Sequence, residues 1–135
     1  MTAVEPMNVV ADCPFCTLNP ERIVSDDDLV IVIRDGYPVS PGHTLIIPKR
    51  HVKSIFEATA AEREALLQAL DEEKSVLDKE FSPAAYNIGI NDGLAAGQTV
   101  PHLHIHLIPR FEGDCDDPRG GVRWIFPDKA RYWRD

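Results

Sequence analysis

The sequence predicts an α+β fold on three observations. Short β-branched runs lie on both sides of one long helical pattern. The order is therefore strands, a helix, then strands, and the links between neighbouring runs are short enough to suit antiparallel pairing. At 135 residues the chain is one domain, long enough to bury a real core.

Each element follows from local pattern. Residues 1–11 read as a poorly ordered tail, and residues 12–110 as the domain. Asp12-Cys13-Pro14-Phe15-Cys16 is a tight knuckle, and residues 17–20 suit one short helical turn. Residues 23–25 suit an edge strand, and Asp26-Asp27-Asp28 a solvated turn. Residues 29–33 are continuous and β-branched, as an interior strand should be. Residues 34–38 end it, and Ser40-Pro41-Gly42-His43 is a second turn signal. Residues 44–48 form the next strand, paired antiparallel with the one before. Residues 54–59 suit a short helical turn. Thr59 and Glu62 then make a capping box. Leu66, Leu67, Leu70, Leu77 and Phe81 lie at helical spacing, so residues 60–80 form one amphipathic helix on the sheet, with its charges in solvent and Pro83 at its end. Residues 86–90 are a strand and residues 91–98 a small-residue loop. Residues 111–135 show little periodicity and hold both tryptophans, which suit packing on the domain or a subunit interface.

Composition narrows the function. With 44% hydrophobic and 27% charged residues the chain is globular, and no apolar run approaches the roughly 20 residues that cross a bilayer. The first residues lack a basic region followed by an apolar one, so a cytoplasmic location is expected, with no membrane partner. A net charge of -8 argues against nucleic-acid binding, which needs cations facing phosphates, but permits a small phosphorylated ligand. Three cysteines and no secretion signal speak against a disulfide framework; Cys115 reads as an incidental thiol.

Residues 101–109 carry the chemistry. His102, His104 and His106 alternate with Leu103, Ile105 and Leu107. Along a strand this period of two puts three imidazoles on one face and three aliphatic groups on the other. Pro101 suggests that the strand begins only around residue 103, which would free His102 to turn elsewhere. A neutral imidazole has a free lone pair at pH 7 and can attack phosphorus without a separate base. A backbone carbonyl on its other N–H would fix the tautomer.

Gly97-Gln98-Thr99-Val100-Pro101-His102-Leu103-His104-Ile105-His106-Leu107-Ile108 resembles the signature of the histidine triad (HIT) family. Pro41-Gly42-His43, the run ending Pro48-Lys49-Arg50-His51, and Asn91-Asp92-Gly93 extend the resemblance over roughly residues 12–110. Residues 118–124 are similar to the tail of bacterial members described as diadenosine polyphosphate hydrolases.

The resemblance implies a five-stranded antiparallel sheet with one long and one short helix, usually in a homodimer. It implies hydrolysis or transfer at the α-phosphate of a purine nucleotide, a dinucleoside polyphosphate or a phosphoramidate, with no catalytic metal required. His104 would be the nucleophile and carry a covalent nucleotidyl intermediate, His106 would donate to a phosphate or leaving-group oxygen, and His43 would back the pair. Alone, His43 also reads as a satisfied structural histidine. Gly97, Gln98 and Thr99 would offer backbone N–H groups to phosphate, and Thr99 its hydroxyl. Asn91 would face the phosphates, Asp35 the ribose, and Ile31 or Ile33 the base.

Cys13 and Cys16 with His51 and His102 form a common structural zinc set; the alternative is a pair of reduced, unliganded thiols. Two rival functions remain: a nucleotide-binding module with little turnover, and a glutaredoxin-like thiol–disulfide oxidoreductase on Cys13-Pro14-Phe15-Cys16. The second needs a long helix after the motif, and Pro20 follows instead.

Overall fold

The structure is a computed structural model that describes residues 9–134; the expected tail over residues 1–8 lies outside them. Five strands form one antiparallel sheet: β1 (Ile23–Asp26), β2 (Val30–Arg34), β3 (Thr44–Pro48), β4 (Ala85–Gly89) and β5 (Ile105–Arg110), in the order β1-β2-β3-β5-β4. The helix α1 (Ala60–Phe81) links β3 to β4, and β5 inserts between those two strands. A short helix α2 (Pro127–Ala130) follows a 3-10 turn over Gly121–Ile125. No helix among the described residues is long and apolar enough to cross a membrane.

The continuous apolar runs of β2 and β3 are explained by cover on both sides. Val30, Val32 and Ile46 face α1 and meet Leu66, Ala69, Val52, Leu103 and Ile105. Ile31, Ile33, Leu45 and Ile47 face the other way and meet Phe15, Leu18 and Ile23 of the N-terminal segment. With Ile33 fully buried and Ile31 7% exposed, neither offers an open wall to a base in this structure.

Helix α1 starts as its sequence dictates. The Thr59 hydroxyl accepts from the Glu62 N–H and the Glu62 carboxylate accepts from the Thr59 N–H. It ends at Ser82, a left-handed cap at φ 49° before Pro83. Two details depart from expectation. Leu67 is 61% exposed rather than part of the apolar stripe. Glu62 and Glu73 are buried, each because an arginine outside the helix reaches it: Arg50 at 2.8 Å and Arg34 at 2.8 Å.

The histidine strand is shorter than an unbroken run would be. Its ladder begins only at Ile105. Before it, the His102 N–H closes a tight turn on Val100 O at 2.8 Å and the Leu103 N–H reaches Val52 O at 2.7 Å, beyond the end of β3. Residues 111–134 lie beside the β4–β5 edge and are braced internally by cation–aromatic contacts of Arg119 with Trp133, Arg123 with Tyr132 and Arg131 with Trp124.

Candidate active site

Strand register assembles the imidazoles. His106 on β5 stands opposite Leu45 on β3 and Gly89 on β4. Its side chain therefore shares the face of Leu45 and Ile33, away from α1. His43 comes to the same place from the turn before β3. That turn needs Gly42, which has φ +84° and where a Cβ would stand 3.0 Å from the Phe81 ring. His43, His104 and His106 are thus brought together. The His43 Nε2 lies 2.9 Å from His106 Nδ1, and the His104 and His106 ring centroids lie 5.0 Å apart.

Backbone partners at both ends set the protons in this chain of rings. The Val39 N–H donates to His43 Nδ1 at 3.1 Å. That nitrogen is an acceptor, so His43 carries its proton on Nε2. The Nε2–H donates to His106 Nδ1, with Asp35 Oδ2 3.4 Å away. His106 therefore carries its own proton on Nε2 and presents it as a donor. His104 is set the opposite way. Its Nδ1 lies 2.8 Å from His102 O, a carbonyl that can only accept, so Nδ1 holds the proton and Nε2 keeps a lone pair. A ring N–H and a ring lone pair thus stand side by side.

Burial favours the neutral forms of His43 and His106. Desolvation lowers the His106 pKa to about 4, helped by His104 and His43 and opposed by Asp35. Desolvation also lowers His43, against the pull of Asp35. Asp35, His43 and His106 offer ligand atoms within 4.8 Å of one another. The proton inventory makes them a hydrogen-bond chain rather than a cation cradle. A cation on His43 Nε2 would displace the proton that Val39 prevents Nδ1 from taking up.

The other expected residues fall into two groups. Asn91 is exposed and lines the same cavity as His106, and Thr99 is exposed on the following loop. Asp35 sits at the end of β2, with Oδ1 accepting from Tyr37 N–H. Gly97 and Gln98 differ from expectation: their N–H groups are used within the loop, by Leu94 O at 3.0 Å and Gly93 O at 3.1 Å. The Gln98 side chain braces the loop too, accepting from Gly93 N–H and donating to Lys53 O. Phe15 and Val39 also touch this cluster, and sequence reasoning missed both. Phe15 lies edge-on to His104 with centroids 5.0 Å apart. Its place inside the cysteine knuckle was the available signal.

A cavity of about 900 Å³ opens from His43 and His106. Its walls include Val39, Ile88 and Ile108 from the sheet side and Val122, Trp124 and Arg131 from the C-terminal segment.

The knuckle brings Cys13, Cys16, His51 and His102 together, with ligand atoms within 4.8 Å of one another. The Cys13 Sγ to His102 Nδ1, Cys16 Sγ to His51 Nδ1 and Cys16 Sγ to His102 Nδ1 distances are 3.4, 3.3 and 3.6 Å. A tetrahedral zinc with ordinary bond lengths separates S and N ligands by about 3.6 Å. His102 Nε2 donates to Pro48 O at 2.7 Å, which aims the Nδ1 lone pair at the thiols. The donor set fits zinc. The stretch after Cys16 is a turn and then a 3-10 turn over Pro20–Arg22, not the long helix of a thiol–disulfide site.

Comparison with known proteins gives the family and the fold. The HIT domain family model matches residues 17–113. The chain is 47% identical over 80 residues to the asymmetrical bis(5'-nucleosyl)-tetraphosphatase of Schizosaccharomyces pombe, covering 59% of this chain and 44% of that one. It is 35% identical over 116 residues to adenylylsulfatase HINT3 of Arabidopsis thaliana, covering 83% of this chain and 59% of that one. The chain thus spans about half the length of these two relatives. A zinc-bound histidine triad family protein from Mycobacterium smegmatis shares its architecture at TM-score 0.66 and 33% identity, over 76% of this chain and 78% of that one.

Proposed function

Because the chain belongs to the HIT domain family, we propose that it is a nucleotide hydrolase or nucleotidyl transferase acting at the α-phosphate of a purine nucleotide through a covalent intermediate on His104. The observation that carries this reading is the pair of opposed tautomers: a His104 Nε2 lone pair beside a His106 Nε2–H.

In the first step the His104 Nε2 attacks the α-phosphorus. A P–N bond forms and the P–O bond to the leaving group breaks, its electron pair departing with the oxygen. His104 keeps its Nδ1 proton, so the nucleotidyl-imidazole is cationic and held by His102 O. That charge makes it a good leaving group when water attacks phosphorus: a P–O bond forms, the P–N bond breaks with its electron pair returning to His104 Nε2, and the water gives up a proton to solvent. His106 donates a hydrogen bond to the oxygen on which charge develops. Asp35 would bind the ribose hydroxyls, and Asn91 and Thr99 the phosphates. Gly97 and Gln98 would shape the loop, and their N–H groups would reach phosphate only if it opens. Zinc, when bound by Cys13, Cys16, His51 and His102, supplies structure and not chemistry.

The cavity beyond His106 supports a substrate with a sizeable leaving half. A dinucleoside polyphosphate supplies one, and an apolar phosphoramidate amine suits the same walls. The tetraphosphatase relative favours the first. β4 is an edge strand with Ile88 49% exposed, which supports a homodimer joined along it. One observation favours a binding module with little turnover: two of the loop N–H groups expected at phosphate already have partners.

The test is incubation with dinucleoside polyphosphates and phosphoramidate nucleotides, followed by mass spectrometry. The expected result is hydrolysis with a nucleotidyl adduct on His104, and a His104→Ala protein that is folded, binds nucleotide and is inactive. Hydrolysis that survives His104→Ala unchanged refutes the assignment. Tight nucleoside monophosphate binding without turnover by the wild type favours the module.

A further inference from the structure

We propose that the Cys13-x-x-Cys16 knuckle is the positioning device of the nucleophile, with Phe15 holding the ring of His104 and His102 holding its Nδ1–H, so that a metal-loaded knuckle sets where His104 aims. The proposal rests on the reading of His104 as the nucleophile.

His104 is 9% exposed but lies just before the β5 ladder begins. It is therefore not held by strand pairing, and its orientation must come from what touches it. The Phe15 ring meets it at 5.0 Å between centroids and 71° between planes, and meets His102 at 5.8 Å and 83°. The His102 carbonyl takes its Nδ1–H at 2.8 Å. Both contacts lead back to one place. Phe15 stands between the two cysteines. His102 carries two functions on one residue, a ring aimed at both thiols and a carbonyl on the nucleophile.

Among the described residues, the knuckle makes no backbone hydrogen bond to the sheet. Its backbone bonds are local: the Cys16 and Thr17 N–H groups and the Thr17 hydroxyl all return to Cys13 O. It precedes β1 and lies outside the sheet. The thiol–imidazole cluster, with Phe15 and Leu18 on the apolar face of β2 and β3, ties it down. Loosening the thiols therefore frees Phe15 from the His104 ring and leaves His102 held by Pro48 O on its ring side, and both residues are in contact with that same His104 ring.

This differs from a merely structural knuckle, which would affect folding alone. It also differs from Phe15 walling off the base, which would affect nucleotide affinity. A positioning role affects the rate of the covalent step, where small misplacements of reacting groups cost about ten- to a hundredfold.

The test compares wild type, Phe15→Leu, Phe15→Tyr and chelator-treated wild type. It measures zinc content, thermal melting, kcat and KM, the single-turnover rate of nucleotidyl-His104 formation, and the imidazole ¹⁵N–¹H spectrum of His104. For Phe15→Leu the expected result is retained zinc and folding, a kcat lower by about tenfold or more, an unchanged KM and shifted His104 signals. Phe15→Tyr should recover most of the rate. Removing zinc should shift the His104 signals in the same sense. A Phe15→Leu protein with raised KM and normal kcat overturns the proposal, as do His104 signals that ignore both changes. A chain that binds no zinc overturns its metal part. If chelation unfolds the chain, Phe15→Leu decides alone. Activity remaining in His104→Ala would sink the nucleophile reading instead, so the two failures are distinguishable.

Discussion

His106 shows how a buried imidazole is kept as a donor. Desolvation lowers its pKa to about 4, and the neighbouring rings of His104 and His43 add to the effect. A histidine with an ordinary value near 6.5 would be partly cationic at pH 6. Here the Val39 N–H orients His43 and His43 orients His106, so the Nε2–H is present without a positive charge. In the reaction proposed above, a neutral donor suffices for a polyphosphate leaving group, which departs as a stable anion. We expect His106 to hold one neutral tautomer from pH 8 down to about pH 5. Its ring ¹⁵N shifts in a pH titration check this, and a midpoint near 6.5 would contradict it. Only part of this chain of protons was legible in the sequence: a carbonyl on one ring N–H, His106 as donor and His43 behind it were expected, but not the groups that set them. Period two put His104 and His106 on one face, but which nitrogen carries each proton depends on Val39 and on the His102 carbonyl, contacts that exist only after folding.

At the scale of elements, legibility followed the range of the interactions. β2 and β3 and helix α1 were readable because apolar continuity, a capping box and a terminal proline are local signals. The late start of β5 was half readable: Pro101 announced it, but the Leu103 N–H anchored on Val52 O moved the first ladder residue to Ile105. The turns of the C-terminal segment have no periodic pattern and rest on arginine–aromatic pairs instead. Glu73 was not readable at all. It is buried because Arg34, on β2 and 39 residues away in sequence, reaches it while also donating to Thr44 Oγ1. We expect Glu73→Ala to leave Arg34 short of a partner on a half-buried face. Because Arg34 is itself about a third exposed and Glu80 lies 3.8 Å away, the loss should be about 1–2 kcal/mol, less than for a fully buried pair. Denaturant unfolding measures it, and an unchanged midpoint would show that the pair contributes nothing.

For the whole molecule, the buried histidines that prepare the chemistry also set acid sensitivity. His43 and His106 have folded-state pKa values held below their ordinary 6.5, chiefly by burial. Below pH 6.5 the unfolded chain takes up protons at these sites and the folded chain does not. Stability therefore falls as pH drops below about 6.5, for His106 down to about 4, by up to about 1.4 kcal/mol per pH unit for each group while its folded form stays neutral. Glu62 acts in a lower window. Its carboxylate is held below the usual range by Arg50, so its contribution is complete above about pH 4.5 and is lost only as pH falls further. Two stages should thus be visible in chemical denaturation series between pH 7.5 and 3. His43→Gln, which removes one titrating ring, should flatten the first stage and leave the second in place. A stability that holds level from pH 7.5 to 5 would mean that the imidazoles are hydrated in solution. The donor chain from Val39 to His106 would then lose the dry setting on which its neutral, fixed protons depend.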